Sequence, residues 1–264
     1  MASQDVSIDT SRRTAPEIFH AAQDLGRNEL RRSSRTLAFS GLSGGLCMGL
    51  TGLGVAAVRG MLGNGPWQEF VSYLLYPTGF IAVIIGRSQL FTENTLYPVL
   101  LVLDEKKRRA RVTIQTLRLW GVVFASNVAG AFVFAFLAMQ TGALNGNIAG
   151  EIVALGRYGI EGTGGHLFWS GVMGGWLIAL VAWIVTASHW TIGQIVMIWL
   201  LTFVVGIGHF AHCIATSCEI LSAVVVGAVP LASYAHWLLF ATLGNIVGGV
   251  TMVSMLNYGQ VRLD

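Results

Sequence analysis

Six apolar stretches, each at or above the ~20 residues that a helix needs to cross a bilayer, constrain this chain more than anything else: 36–58, 74–103, 112–140, 166–188, 194–228 and 235–257. In lipid every backbone N–H and C=O has to be satisfied inside the protein, so stretches of this length fold as helices. The alternative, six long helices hidden in a soluble core, fails on composition, because 54% of the 264 residues are hydrophobic and only 11% are charged, too little polar surface to cover such a core. The pattern predicts an all-α membrane protein. It excludes a disordered chain, a nucleic-acid-binding domain and a disulfide scaffold, for which Cys47, Cys213 and Cys218 are too few.

The spans are of two kinds. Four look continuous, whereas the second and fifth are interrupted by polar residues, GRSQLFTEN at 86–94 and GIGHFAHCIATSCE at 206–219. These are corresponding places in two three-span repeats, and paired interruptions of this kind point to a transport site. Setting Phe210 over Phe91, an offset of 119 residues, also sets His212 over Glu93. Basic residues give the orientation: Lys106, Lys107, Arg108, Arg109 and Arg111 fill the loop after span two, and the N-terminal tail carries six arginines. Both termini are therefore expected in the cytoplasm. The domains read as a tail over 1–35 with a short amphipathic helix from Pro16 to about Arg32, a six-span unit over 36–258, and a short tail over 259–264. The first tail has no apolar run of signal-peptide length. Residues 141–164, rich in Gly and polar side chains, read as a loop. Small-xxx-small patterns at Gly41/Gly45/Gly49, Gly171/Gly175 and Gly244/Gly248 predict close helix packing.

Ionisable groups at membrane depth are expensive, which singles out Arg87, Glu93, Arg118, His209, His212 and Glu219. Arg118 lies near the basic loop and reads as snorkelling to the interface. The other five fall in the two interruptions, where freed backbone has to be covered or has to line an aqueous path. His212, Thr216 and Glu219 share a face if 212–219 is helical. A metal site from His209, His212, Cys213, Cys218 and Glu219 lacks a second ligand pair elsewhere, and Cys213 beside His212 lacks the distant pairing of cysteine enzymes. A structural reading, with the histidines bonded to freed carbonyls and Arg87 paired with Glu93 or Glu219, stands beside a transport site.

GRSQLFTENT resembles the second-span break of the formate/nitrite transporter family, whose motif reads roughly GAELFTGN, and FAHCIATS resembles the fifth-span motif FEHSIANM. The resemblance covers residues 36 to 257 and is nearer still to the YfdC-like branch. It implies an aquaporin-like protomer built from two inverted three-helix repeats with broken second and fifth helices, a homopentamer, and one pore per protomer for small monovalent anions. Carried over by position, it makes His212 the central histidine with Thr92 as its neighbour, and places Leu90, Phe91 and Phe210 at the apolar constrictions. His209 has no counterpart.

The departures from the motifs are Arg87, Ser88 and Gln89 before Leu-Phe-Thr, Glu93 after it, Ala211 before the central histidine, Thr216 for Asn, and an additional Glu219. In the fourth span GGWLIALVAW stands where the family resembles CNWLVCLAVW, so Gly175 replaces a polar Asn. A weak-acid anion is expected to share or take a proton at His212 between the constrictions, with Thr216 on the path and Arg87, Glu93 and Glu219 as its charges. Carboxylates facing the path would instead favour cations, and a blocked pathway would leave a structural membrane protein. No covalent chemistry, cofactor or metal is expected. The partners are a small solute, the lipid bilayer and further copies of the chain, and the location is the bacterial inner membrane.

Overall fold

The computed structural model describes residues 12–262; the parts of the terminal tails at 1–11 and 263–264 lie outside the described residues. Among the described residues all regular structure is helical. In chain order the helices are α1 (Ala15–Arg31), α2 (Ser34–Leu62), α3 (Pro66–Tyr73), α4 (Pro77–Ile85), α5 (Tyr97–Asp104), α6 (Arg109–Gln140), α7 (Gly146–Gly159), α8 (Gly164–Ala187), α9 (Thr191–Ile207), α10 (Ala215–Val225), α11 (Leu231–Gly249) and α12 (Leu256–Arg262). A 3-10 turn at Glu93–Thr95 precedes α5, and a π-helical turn at Val250–Met255 joins α11 to α12. Five segments, Ser34–Leu62, Pro66–Ile85, Arg109–Gln140, Gly164–Ala187 and Leu231–Arg262, are long and apolar enough to cross a membrane, and α9 and α10 are shorter apolar helices.

Two expectations from the sequence change. The second segment begins at Pro66, upstream of residue 74, because Pro66 and Pro77 each open a helix where a missing N–H is harmless. Residues 141–164 are not a loop. Asn145 caps α7 by accepting from the Ile148 N–H at 3.0 Å, and α7 buries Ile152 and Leu155 against α10 and α2. Glycine-rich polar composition hid that apolar face.

Helix α1 buries Phe19, Ala22, Gln23, Gly26 and Leu30 and packs on α5. Arg118 is exposed and reaches past its own helix: its Nη2 donates to the carbonyls of Leu30 and Arg32, at 3.0 Å each, capping the end of α1. Helices α2 and α6 pack along one another, as do α8 and α11. Each pair clasps one broken segment. Outward-facing side chains are apolar, among them Phe39, Phe132, Phe136, Ile192 and Leu239, as contact with lipid or a neighbouring subunit requires.

The clasp is built twice. Asn127 of α6 accepts from the Phe91 N–H at 2.9 Å and donates to the carbonyls of Gly41 (2.7 Å) and Gln89 (2.9 Å). Asn245 of α11 accepts from the Cys213 N–H at 2.9 Å and donates to the carbonyls of Gly171 and Ala211, both at 2.8 Å. Ser40 accepts from the Gln89 N–H at 3.1 Å and Ser170 from the Ala211 N–H at 2.9 Å. A Cβ on Gly44 would strike the Gln89 carbonyl, and one on Gly174 the Ala211 carbonyl, so only glycine lets each outer helix come so near its break. These bonds place Gln89 over Ala211 and Phe91 over Cys213, an offset of 122 residues. The offset of 119 is thereby corrected: His212 overlies Leu90, not Glu93. Aligning like side chains misled, because what the repeats share is the pattern of freed backbone groups.

Candidate functional site

Helices α4 and α9 stop in the same way. The Ser88 N–H reaches the Val83 carbonyl (3.0 Å) and the Arg87 N–H the Ile84 carbonyl (3.3 Å), while Phe210 reaches Val205 and His209 reaches Gly206, both at 3.0 Å. This is the paired 6→1 and 5→2 bonding of a Schellman cap, whose left-handed residue is usually glycine. Here that residue is Arg87 (φ 59°) or His209 (φ 51°). A side chain in this region costs about 1 kcal/mol relative to glycine, so both positions keep a side chain against the local preference.

Three residues beyond His209 and five beyond Arg87 the chain reaches the seam between the breaks. Thr92 Oγ1 and His212 Nε2 lie 2.8 Å apart, and both residues are fully buried. On the far side of the ring, Nδ1 accepts the Ala215 N–H at 3.0 Å, at the first turn of α10. An Nδ1 that accepts carries no proton, so the neutral ring holds its proton on Nε2 and donates to Thr92, whose hydroxyl hydrogen is free to turn elsewhere. Protonating Nδ1 would set one donor against another at the positive end of a helix. The ring is held as a hydrogen-bond donor rather than a proton source, which changes the proton-sharing role expected of it. Phe80 of α4 packs edge-on against it at 5.1 Å.

The apolar trio divides. Leu90 is buried beside the seam, Phe91 turns its ring onto Trp120 (5.8 Å) and Phe124 (5.1 Å) of α6, and Phe210 is half-buried. A cavity of about 690 Å³ runs to Phe210 and Ala211 and is lined also by Tyr76, Thr216, Glu219 and Trp237. A second, of about 70 Å³, reaches Leu90 and Glu93 from the end of the molecule that carries α1, with Arg87 on its wall. Neither Thr92 nor His212 lines either cavity; along the chain Phe210 and Ala211, on the first, lead into His212, and Leu90 and Glu93, on the second, flank Thr92. Thr216 and Glu219 thus share a cavity, while His212 sits behind it, since regular helix begins only at Ala215.

Charge placement also differs from the sequence-based picture. Arg87 is exposed and makes no ion pair within 4.0 Å among the described residues, so the expected pairing with Glu93 or Glu219 is absent; its place at the end of α4 turns it outward. His209 does not cap freed carbonyls with its ring. Its Nε2 lies 3.2 Å from Glu69 and its Nδ1 3.1 Å from the Tyr73 hydroxyl, with Tyr158 packed edge-on at 4.8 Å. Glu69 in turn pairs with Arg59 at 3.0 Å. Arg59, Glu69, Tyr73 and Tyr158, like Asn127, Asn245, Tyr76 and Phe80, escaped sequence reasoning, although Pro66 as a helix opener would have brought Glu69 and Tyr73 into the second span. The residues considered for a metal site diverge: Cys218 Sγ faces the Gly45 and Ile214 carbonyls, and among the described residues no three His, Cys, Asp or Glu converge.

With this geometry in hand, comparison with known proteins is direct. The family model described as Formate/nitrite transporter matches residues 16–259. The chain is 32% identical over 246 residues to the inner membrane protein YfdC of Escherichia coli (strain K12), covering 93% of this chain and 78% of that one. It is 34% identical over 200 residues to a probable formate transporter of Methanothermobacter thermautotrophicus, covering 69% and 71%. Its fold is similar to that of a solved pentameric formate channel with formate bound, with a TM-score of 0.73 at 21% identity over 88% of this chain and 98% of that one. The second of these is named as a transporter and the third as a channel. A family match over nearly the whole chain, on a helical frame with two clasped breaks, establishes this multi-pass membrane protein as a member of the formate/nitrite transporter family.

Proposed function

We propose that this protein is a channel or channel-like transporter for small monovalent weak-acid anions of the formate/nitrite type. The observation that carries the reading is the Thr92–His212 contact, 2.8 Å long and fully buried, at the seam of two breaks whose neighbouring residues line two cavities. In this reading Phe210 guards the wide side and Leu90 and Phe91 the narrow side, and a solute that parts them meets the Thr92 hydroxyl and the His212 Nε2–H. A dry constriction rejects a hydrated ion, and a donor pair at its centre replaces the water that a weak-acid solute gives up. Thr216 lines the approach, and Arg87, Glu93 and Glu219 set the potential at the two mouths.

The basic loop and the arginine-rich tail support cytoplasmic termini and a bacterial inner-membrane location. They make the wide cavity the external vestibule, with residues 1–35 and 259–264 flanking a six-span channel unit over 36–258. Likeness to a pentameric channel and the apolar outer faces support a homopentamer. One observation favours a second reading, a cation-conducting pore: Glu219 faces the vestibule without a bonded cation. Liposome flux measured separately with formate, nitrite, potassium and ammonium decides between the two. Passage of formate or nitrite that is lost in His212→Phe is the expected result, and passage of potassium alone would replace the anion reading.

A further inference from the structure

The floor of the wide cavity holds a carboxyl group that its surroundings leave unbonded. Glu219 is 7% exposed, lines the cavity beside Tyr76, Thr216 and Trp237, and among the described residues makes no hydrogen bond and no ion pair within 4.0 Å. The charged and titratable groups that face it are engaged with one another. From α2, Arg59 is paired through Nη2 with Glu69 of α3, while its buried Nε has no partner among the described residues. Glu69 also meets His209, whose other ring nitrogen meets Tyr73, and Tyr158 of α7 packs edge-on against the same imidazole. Tyr76 lies beside Glu219 on the wall, Glu161 and His166 stand on the lining contributed between α7 and α8, and on its own helix Cys218 turns to backbone carbonyls. A second group at the floor is also without a partner: the indole N–H of Trp237, a residue only 1% exposed, has no acceptor among the described residues.

An ionised carboxyl with no donor to hold its charge is costly in such a place, so Glu219 exchanges its proton with whatever enters. His212 cannot take this part, because its Nδ1 is occupied by the Ala215 N–H. We propose that Glu219 is the proton donor to a small oxoacid anion bound at this floor, with the Trp237 N–H holding the anion's second oxygen. The inference rests on the weak-acid reading above. In the step, the O–H bond of Glu219 breaks, an O–H bond forms on the anion, and the negative charge passes to the Glu219 carboxylate. The neutral acid continues past Phe210 toward Thr92 and His212, and Glu219 is reprotonated from water in the cavity, so one proton travels with each anion. The substrate class follows from the chemistry: anions of weak acids with two oxygens qualify, whereas chloride, whose conjugate acid is too strong to form here, does not.

The test uses the full chain reconstituted in liposomes loaded with a pH-sensitive dye and given pulses of formate or chloride. The expected wild-type result is formate uptake with proton entry, faster when the outside is acid, and no response to chloride. Glu219→Gln should lower formate uptake about tenfold or more and flatten its pH dependence, as loss of a general acid does, and Glu219→Asp should restore part of both. Formate uptake by Glu219→Gln at the wild-type rate and pH profile overturns the proposal, and so does wild-type formate uptake without proton entry. Wild-type protein that passes potassium or ammonium but no formate overturns the weak-acid reading itself. Trp237→Phe keeps the ring and removes the N–H. It should raise KM for formate several-fold while leaving one proton per anion, so it reads the same floor even if Glu219→Gln fails to assemble; an unchanged KM removes the indole from the site and overturns that half of the proposal.

Discussion

The first break, 86–95, and the second, 208–217, are held by the same frame and carry different chemistry. Asn127 and Asn245 make matching sets of three bonds, Ser40 and Ser170 add a fourth, and both helices end in the same cap. Yet Arg87 makes no ion pair among the described residues where His209 joins Glu69 and Tyr73 in a partly exposed network, and apolar Leu90 stands where His212 stands. Bilayer depth accounts for both facts. Freed peptide groups in lipid have to be paired identically in each half, because an unpaired one costs several kcal/mol, whereas side chains that point from the paired backbone are free to diverge. The shared positions hold the breaks open, and under the proposed function the unlike positions decide what passes through them.

The largest expected effect tests the frame. Asn127→Ala and Asn245→Ala should each lower stability in detergent by roughly 2–5 kcal/mol, since each leaves an N–H and a carbonyl of the break without this partner. Denaturant titrations that show one substitution to be severe and the other mild would break the equivalence of the two halves. Next, Gly44→Ala and Gly174→Ala push a methyl group into a break carbonyl and should cost about 1–3 kcal/mol each by the same measurement. The unlike positions come third. His212→Leu copies the residue of the first half and should reduce formate flux in liposomes about tenfold or more, a loss of ~1.4 kcal/mol, while leaving the α4 and α9 caps intact; wild-type flux would make the seam structural only.

Smaller still, Arg87→Gly and His209→Gly relieve the left-handed backbone and should each raise local stability by about 1 kcal/mol. For His209 the lost bonds to Glu69 and Tyr73 offset that gain, so a larger rise in melting temperature for Arg87→Gly sharpens the contrast. The smallest effect sets Asp104, at the end of α5, against Val226, the equivalent position at the end of α10. Partial burial pushes Asp104 up, but hydrogen bonds from Gln23 (2.9 Å) and Arg262 (3.0 Å) outweigh it and hold the carboxyl below the usual carboxylate range. A depressed folded value means that the stabilisation is full above the ordinary carboxylate pKa and is lost as pH falls through the folded one. Acidification should therefore speed amide exchange in α1 and α12, and leave the Val226 end unchanged. Equal acceleration at both ends would assign the effect to the protein at large.

Much of this was legible beforehand, and the misses share a cause. The apolar runs, the two polar interruptions and the meeting of Thr92 with His212 follow from segment length and motif position. The repeat register did not follow, since Phe91 over Phe210 is a match of side chains while the bonds match Gln89 to Ala211. Helix α7 was hidden because glycine and polar residues dilute its apolar face, and Arg87 was assigned a carboxylate partner on the assumption that it lies deep, whereas the cap turns it outward.

By itself the sequence determined that this chain enters a membrane as a set of helices, and that two of its segments break at corresponding places, because apolar length and interrupted hydropathy are local properties paid in lipid wherever the segment lies. Only the tertiary structure decided which peptide groups Asn127 and Asn245 would satisfy, which ring nitrogen of His212 would carry the proton, and that Glu219 would be left without a partner. Each of those depends on atoms brought together from distant helices, and hydrogen bonding in a medium without water admits one arrangement of them, in three dimensions, that no stretch of chain specifies alone.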